Sequence, residues 1–499
     1  MSTSGRTMRC TYELGLTVAS ALHVGTGRGD ALVDDTVAHD ACGRPIVPGT
    51  TLAGLLRAMT SRMRPASEER LWGSTEGASP VLVDDAVIDL GGRGIGTRAG
   101  IAIDRHTGAV TPGALYEHAV VPAGARLTLR LETDDTELEA DLLQLLGALR
   151  ADGLRVGRAT TRGMGRLVAD THVAVHRIDL GDAADLVRIA QGEHGRTERV
   201  ELVPEALPGV TAVTIEWSGS LPVLSRDPRP AGQVDALPLL VEAVDPDGAT
   251  AGHRLALPGS SIKGALRAHA ERIVRTVGGG AEDQELPFID LLFGSAKDDG
   301  SGRRGAVHVD DCLTSGRVDP DALARLDPRA ADARVPVTAD DGSSAGEVLV
   351  AHHVAIDRWT GGAADRRLFD VAEARGVEWG PIRISIDESM LRRRLPGDAE
   401  APSSTQDAGL AAAGLLLLVI EDLAAGRVPL GGLVTRGRGS VIVHRMRWGD
   451  DALWVRSDDP DRSASDCWER ADEPGGDGRI ATARAAWRAA WRGAGEVRA

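Results

Sequence analysis

Five short blocks occur twice along this chain in the same order, and a repeat of that kind means one local architecture built twice. The first set reads Pro48-Gly49-Thr50-Thr51-Leu52, Leu71-Trp72-Gly73-Ser74, Val83-Asp84-Asp85, Ile103-Asp104-Arg105-His106-Thr107-Gly108 and Thr161-Arg162-Gly163-Met164-Gly165. The second reads Pro258-Gly259-Ser260-Ser261-Ile262, Leu292-Phe293-Gly294-Ser295, Val309-Asp310-Asp311, Ile356-Asp357-Arg358-Trp359-Thr360-Gly361 and Thr435-Arg436-Gly437-Arg438-Gly439. The second set is spread more widely than the first, so the second unit is the first with insertions.

Hydrophobic periodicity fills in the elements between the blocks. Tyr12, Leu14, Leu16 and Val18 alternate with smaller or polar residues, which predicts an opening strand over residues 11–21. Pro48-Gly49 forces a turn, after which Thr50 or Thr51 is expected to cap a helix with Leu52, Leu55, Leu56, Met59 and Met63 on its apolar face. Ser260 or Ser261 plays that part in the second unit, ahead of Ile262, Leu266, Ile273 and Val277. A leucine stripe over residues 137–151 predicts a second helix, with its counterpart over 410–424. Each runs into a glycine-arginine loop and a last strand, at 167–175 or 440–446. Strands bracketing two helices per unit predict an α+β split sheet of the ferredoxin type. Residues 84–124 and 310–376 are excursions from it. The expected domains are 1–185 and 211–447, joined by a linker at 186–210 and followed by a partly flexible Trp/Arg-containing tail at 448–499, with a short closing helix at 481–491.

Composition narrows the setting. Cys10, Cys42, Cys312 and Cys467 show no paired ligand spacing, which speaks against a structural zinc or a disulfide framework. Residues 1–9 hold no apolar stretch of a signal peptide and the run at 415–420 is too short to span a bilayer, so a cytoplasmic protein without a membrane partner is expected. The formal charge of -16 opposes nucleic acid as a partner over long range. Arginines nevertheless gather at the motifs: Arg155, Arg158, Arg162 and Arg166 at the first glycine loop, Arg427, Arg436 and Arg438 at the second. Local charge dominates within a Debye length.

The blocks resemble the repeat-associated RNA-binding (RAMP) superfamily of CRISPR effector complexes, in particular the backbone subunit of type III complexes. The resemblance lies in the Pro-Gly-Ser/Thr-Ser/Thr helix start, the Ile-Asp-Arg-x-Thr-Gly element followed by Leu115-Tyr116 or Leu368-Phe369, and the Thr-Arg-Gly-x-Gly loop. It implies two modified RRM/ferredoxin-like domains with thumb-like insertions, fused so that they fill two consecutive positions of a helical backbone. The implied partners are guide RNA (crRNA), complementary target RNA, and the other backbone, large and small subunits of the effector.

Glycine loops bring backbone amides close to phosphates, and arginines add charge and forked donors. Helix starts offer unsatisfied N–H groups to anions. The expected RNA-binding residues are Thr50, Thr51, Arg57, Arg105, Arg158, Arg162 and Arg166 in the first unit, and Ser260, Ser261, Lys263, Arg267, Arg358, Arg436 and Arg438 in the second. The resemblance implies target cleavage by a loop aspartate, matching Asp34 and Asp235, each preceded by Val. Such a carboxylate holds a divalent cation, Mg²⁺ or Mn²⁺, together with RNA, or helps deprotonate the 2′-hydroxyl of a splayed nucleotide. Three alternatives stand beside this endoribonuclease. One is a non-cleaving scaffold, another is metal-independent processing of the guide precursor through His23 or His352-His353, and the last is a sugar- or protein-binding module.

Overall fold

The computed structural model describes residues 8–29, 33–104, 107, 109–191, 195–219, 223, 225–227, 233–244, 250–278, 286–295, 302–392, 405–449, 451–456, 468–469 and 479–496. In the strand Met8–Val18, Tyr12, Leu14, Leu16 and Val18 are buried, and the strand takes the middle of the first sheet. It pairs antiparallel with Arg126–Thr133 on one side, and with Arg166–Ala169 and His172–Asp179 on the other. Val81–Val83 extends the sheet beyond Arg126–Thr133. The helices Gly49–Met63 and Glu139–Asp152 pack on this sheet through Leu52, Leu56, Leu142, Leu145, Leu146 and Leu149.

The second unit repeats the plan. Val210–Gly219 lies between Ile382–Asp387 and Val441–Trp448, with Val307–Val309 on the outer side of Ile382–Asp387. The helices Gly259–Gly278 and Thr405–Ala424 close its core through Ile262, Leu266, Leu415, Leu416, Val419 and Leu423. Both units therefore show the ferredoxin-type order, with the first and third strands central and two helices packed against the sheet.

Three local expectations change. The first helix starts at Gly49 with Pro48 as its cap residue and no side-chain cap from Thr50 or Thr51. The N–H of Gly49 instead donates to Asp85 Oδ1 at 2.7 Å, and that of Gly259 to Asp311 Oδ1 at 2.8 Å. The repeated Val-Asp-Asp block is thus the cap, a carboxylate brought from a neighbouring strand end to the positive end of the helix. Within the expected linker, Arg196–Glu201 pairs with His172–Asp179 as an edge strand. In the tail, Asp451–Arg456 pairs with Val441–Trp448, and the helix Arg479–Glu496 docks on Thr405–Ala424 with Trp487 buried.

The excursions contain long hairpins, Gly96–Ile103 with Val110–Val120, and Ser344–Ile356 with Ala363–Arg375. The Ile-Asp element closes each hairpin at its tip, where Asp104 Oδ1 accepts from Thr107 N at 2.8 Å and Asp357 Oδ1 from Thr360 N at 2.8 Å. It does not mark a junction with the core. Among the described residues no helix is long and apolar enough to cross a membrane.

The units meet through the glycine-arginine loop of the first. Its 3₁₀ turn Thr160–Arg162 packs on the helix start of the second unit and on Val307–Val309. Arg155 pairs with Asp310 at 2.8 Å and Arg98 with Asp311 at 2.9 Å. Arg62 grips Asp387 with two bonds of 2.9 and 3.1 Å.

Candidate nucleic-acid interface

Each hairpin clasps one loop aspartate at its base. Asp34 Oδ2 accepts from Glu117 N at 2.8 Å, and Asp34 N donates to Glu117 O at 2.9 Å. Asp235 Oδ2 accepts from Asp370 N at 2.8 Å, and the following Ala236 N donates to Asp370 O at 3.2 Å. Glu117 and Asp370 follow Leu115-Tyr116 and Leu368-Phe369, so the two aspartates hold matched places on matched hairpins. Both are exposed, and one carboxylate oxygen of each is fixed by a backbone N–H.

The next residue separates the units. Asp35 and Ala236 make the same parallel bridge, to His118 and Val371 respectively. In the second unit that pair is a small apolar cluster with Phe369 and Leu433. In the first it is polar and buried. His23 is 0% exposed and stacks on His118 at 5.0 Å. Its Nδ1 lies 2.6 Å from Ala119 O and its Nε2 lies 3.1 Å from Asp35 Oδ2. Burial alone would raise the Asp35 carboxyl, but His23, the N–H of Gly27 and Arg158 outweigh it and hold it below its ordinary value. Burial, with Arg158 and His23 nearby, pushes the His118 imidazole below its ordinary value. Hairpin register brings these residues together, and the spacing of His23, Asp35 and His118 in sequence carries no sign of it.

The second unit places histidines elsewhere. His352 Nδ1 lies 2.6 Å from Asp370 Oδ1, and His353 stacks on Phe369 at 5.1 Å. The guanidinium of Arg436 sits 5.5 Å from the centre of the Phe369 ring. Beside both hairpins the glycine loops share one shape: Ala159 and Leu433 are left-handed at φ 56° and 57°, and so are Gly163 and Gly437.

The arginines and helix starts expected at RNA fall into separate groups. Arg162, Arg358 and Arg436 are exposed, as are Thr50 and Ser260, while Arg166, Thr51 and Ser261 are half-buried. Arg158 reaches Asp35 at 3.4 Å and remains largely exposed. Arg57 is paired with Glu68 at 2.8 Å, Arg267 with Glu271 at 2.9 Å, and Arg438 with the buried Glu373 at 2.8 Å. Arg105 lies outside the described residues.

Lys263 is buried and donates to Val307 O at 2.8 Å. Burial, reinforced by Arg162, Arg267 and Arg304, pushes its ammonium down to about 7 from 10.5. His308 is lowered to about 3, again first by burial and then by Arg304 and Arg155. Both are bases with depressed folded values, so the unfolded chain binds more protons between pH 7 and 10.5 through Lys263, and between 3 and 6.5 through His308. Stability therefore rises with pH across each window. Lys263→Met is expected to flatten the alkaline rise, which approaches ~1.4 kcal/mol per pH unit for one proton. Urea midpoints measured from pH 7 to 10 for both proteins check this, and parallel slopes would count against a neutral Lys263.

A cleft of about 1140 Å³ lies between the units, lined by Arg98, Arg150, Arg166, Arg254 and Arg383 but also by Asp310 and Asp311. Of the expected RNA-binding residues only Arg166 lines it, and neither Asp34 nor Asp235 does. Among the described residues no group of three or more His, Cys, Asp or Glu side chains converges as a metal site.

The model of the RAMP superfamily matches residues 16–168 and, separately, 249–442. The chain belongs to the RAMP superfamily. The two matched segments make it a tandem RAMP protein, each segment containing one hairpin and one glycine-arginine loop. Chains from two cryo-EM structures of type III-B Cmr-beta are similar, one in the apo state at 13% identity and TM-score 0.29, the other bound to cognate target RNA at 14% and 0.28. Each alignment spans 32% of this RAMP protein and 96% of the other chain. No curated protein matches it.

Proposed function

We propose that this RAMP protein is a guide-RNA-binding backbone subunit of a type III CRISPR interference complex, gripping RNA at two successive positions. The observation that carries this is a surface built twice, an exposed hairpin beside a left-handed glycine-arginine loop. The hairpins turn apolar side chains to solvent: Ile103, Val110 and Leu115 in the first, Ile356, Leu368 and the 96% exposed Trp359 in the second. Apolar side chains held out on a rigid two-stranded arm suit a thumb that wedges between stacked bases. The adjoining loops, with Arg162 and Arg436, suit the phosphate backbone, so RNA is held by shape rather than by sequence.

The complex is expected to purify with RNA, and its guide affinity to fall as salt rises. Arg436→Ala removes one phosphate partner, which is expected to lower affinity about tenfold and the salt slope by roughly 0.7. A salt-independent affinity, or a complex that purifies free of RNA, would overturn the proposal.

The matched clasp of Asp34 and Asp235 favours a second reading, in which the subunit also cuts target RNA. With one carboxylate oxygen held by a backbone N–H, the other is free to accept the 2′-hydroxyl proton of a splayed nucleotide. The 2′-oxygen then attacks its own phosphate, the bond to the 5′-oxygen breaks, and water returns a proton to that leaving oxygen. The products are a 2′,3′-cyclic phosphate and a 5′-hydroxyl. Among the described residues no three ligating side chains converge at either loop aspartate, short of a resident Mg²⁺ or Mn²⁺ site. Phosphate oxygens of bound RNA would have to supply the remainder.

A further inference from the structure

The joint between the two units has an acceptor half and a donor half, and each unit carries a version of both. The acceptor is Asp310-Asp311 at the helix start of the second unit. Asp311 caps Gly259 and takes Arg98 at 2.9 Å, Asp310 takes Arg155 at 2.8 Å, and the backbone of Arg162 lies against Gly259. Gly163 presses so closely that a Cβ there would stand 2.0 Å from Asp311 Oδ1.

The first unit carries the same acceptor, uncovered. Asp85 caps Gly49 at 2.7 Å as Asp311 caps Gly259, and Asp84 N donates to Arg130 O at 3.3 Å as Asp310 N does to Arg383 O at 3.0 Å. The Asp84 side chain is 53% exposed against 20% for Asp310, and its partner is Arg130, in a surface pair at 2.9 Å. The atoms nearest a Cβ on Gly49 would be backbone atoms of Val83 and Asp84, in its own unit, where those nearest one on Gly259 include the backbone of Arg162 from the other unit. The second copy of this surface, Asp310-Asp311, shows what such a face takes: a glycine loop and two guanidinium groups.

The donor half of the second unit is incomplete. Its loop keeps the left-handed Leu433 and Gly437, and a Cβ on Gly437 would meet nothing within 4 Å. The two arginines are missing. Ala351 pairs with Val371 where Arg98 pairs with His118. Pro429 precedes the Leu430-to-Gly439 bond where Arg155 precedes the equivalent bond from Val156 to Gly165.

The geometry points to the Asp84-Asp85 face as the docking site of a separate protein subunit, one that brings a left-handed glycine loop and two arginines, and not of a second copy of this chain. The inference rests on the backbone reading for the fold of that neighbour. A solvated ion pair such as Asp84 with Arg130 contributes little and is readily exchanged for a covered one.

The test supplies the missing donors. The full-length chain is expected to sediment as a monomer at all concentrations, whereas an Ala351→Arg/Pro429→Arg chain, whose two sites are exposed or half-buried, self-associates head to tail at least about tenfold more tightly. Asp84→Arg in that variant is expected to abolish the gain. A monomeric double variant, association that survives Asp84→Arg, or association of the unaltered chain through this face would each overturn the inference. A photo-crosslinker at position 84 in the assembled complex gives an independent measurement. Capture of a different polypeptide through an arginine-bearing glycine loop supports it, and capture of this chain or of RNA alone overturns it. The sedimentation arm needs neither RNA nor other subunits, so its failure is distinct from failure of RNA binding.

Discussion

In a complex assembled on guide RNA and offered complementary RNA, Asp34→Ala is expected to remove one cleavage product and leave the others, and Asp235→Ala to remove a different one. The loss is expected to be at least about 100-fold in rate, the usual scale for removing a positioned proton acceptor. Both carboxylates are exposed, and each holds one hairpin N–H, so a control is needed for lost positioning. Asn at either place keeps an oxygen for that N–H while removing the base. Asp34→Asn and Asp235→Asn are therefore expected to bind guide and target as the unaltered chain does and still fail to cut. Unchanged products in both would leave the scaffold reading alone. In the first unit the residue after the aspartate joins the buried His23–Asp35–His118 cluster, and the second unit has Ala236 and Val371 in the places of Asp35 and His118. His23→Ala is expected to slow the Asp34 product and spare the Asp235 product, a split that a general loss of folding would not give.

The second large effect concerns stability. Gly163→Ala forces a left-handed residue, at φ 96°, to carry a Cβ 2.0 Å from Asp311 Oδ1 and 2.9 Å from the Asp311 nitrogen. Gly437→Ala pays the same backbone strain at φ 77°, about 1–2 kcal/mol, but its Cβ meets nothing within 4 Å. The clash adds ~1–3 kcal/mol at Gly163 only, because the atoms in the way include backbone that cannot swing aside. Chemical denaturation of the two variants is expected to show the larger loss at Gly163, with faster proteolysis between the units over residues 202–209. Equal losses would mean that the loop is not seated on Asp311 in solution.

Much of the core was legible because its signals are periodic. Tyr12, Leu14, Leu16 and Val18 alternate, and Leu138, Leu142, Leu145 and Leu149 recur at helical spacing, so strand and helix could be placed without knowing what they pack against. Capping was misleading for the opposite reason. Thr50 and Ser260 stand where a local cap would, but the carboxylate that does the work arrives from Asp85 or Asp311, far along the chain. The repeat marks Val-Asp-Asp as a block and says nothing of its use. The motif pattern also does not show which cations are already engaged: Lys263 is buried on Val307 O, and the half-buried Arg438 is paired with Glu373. Asp34 and Asp235 were matched by the Val before each, and the hairpin backbone sets both in the same clasp.

The joint at Asp310-Asp311 is made between units that never part, because residues 202–209 tie the first sheet to the second. Tethering of that kind gives an effective concentration on the order of millimolar for a short connector. A few guanidinium–carboxylate contacts are then enough to keep it closed at any dilution. A neighbour at Asp84-Asp85 has no such tether and is held only by its own concentration and affinity. An assembly built from this chain will therefore shed that neighbour first as it is diluted or salted, and the fused pair will be the piece that survives.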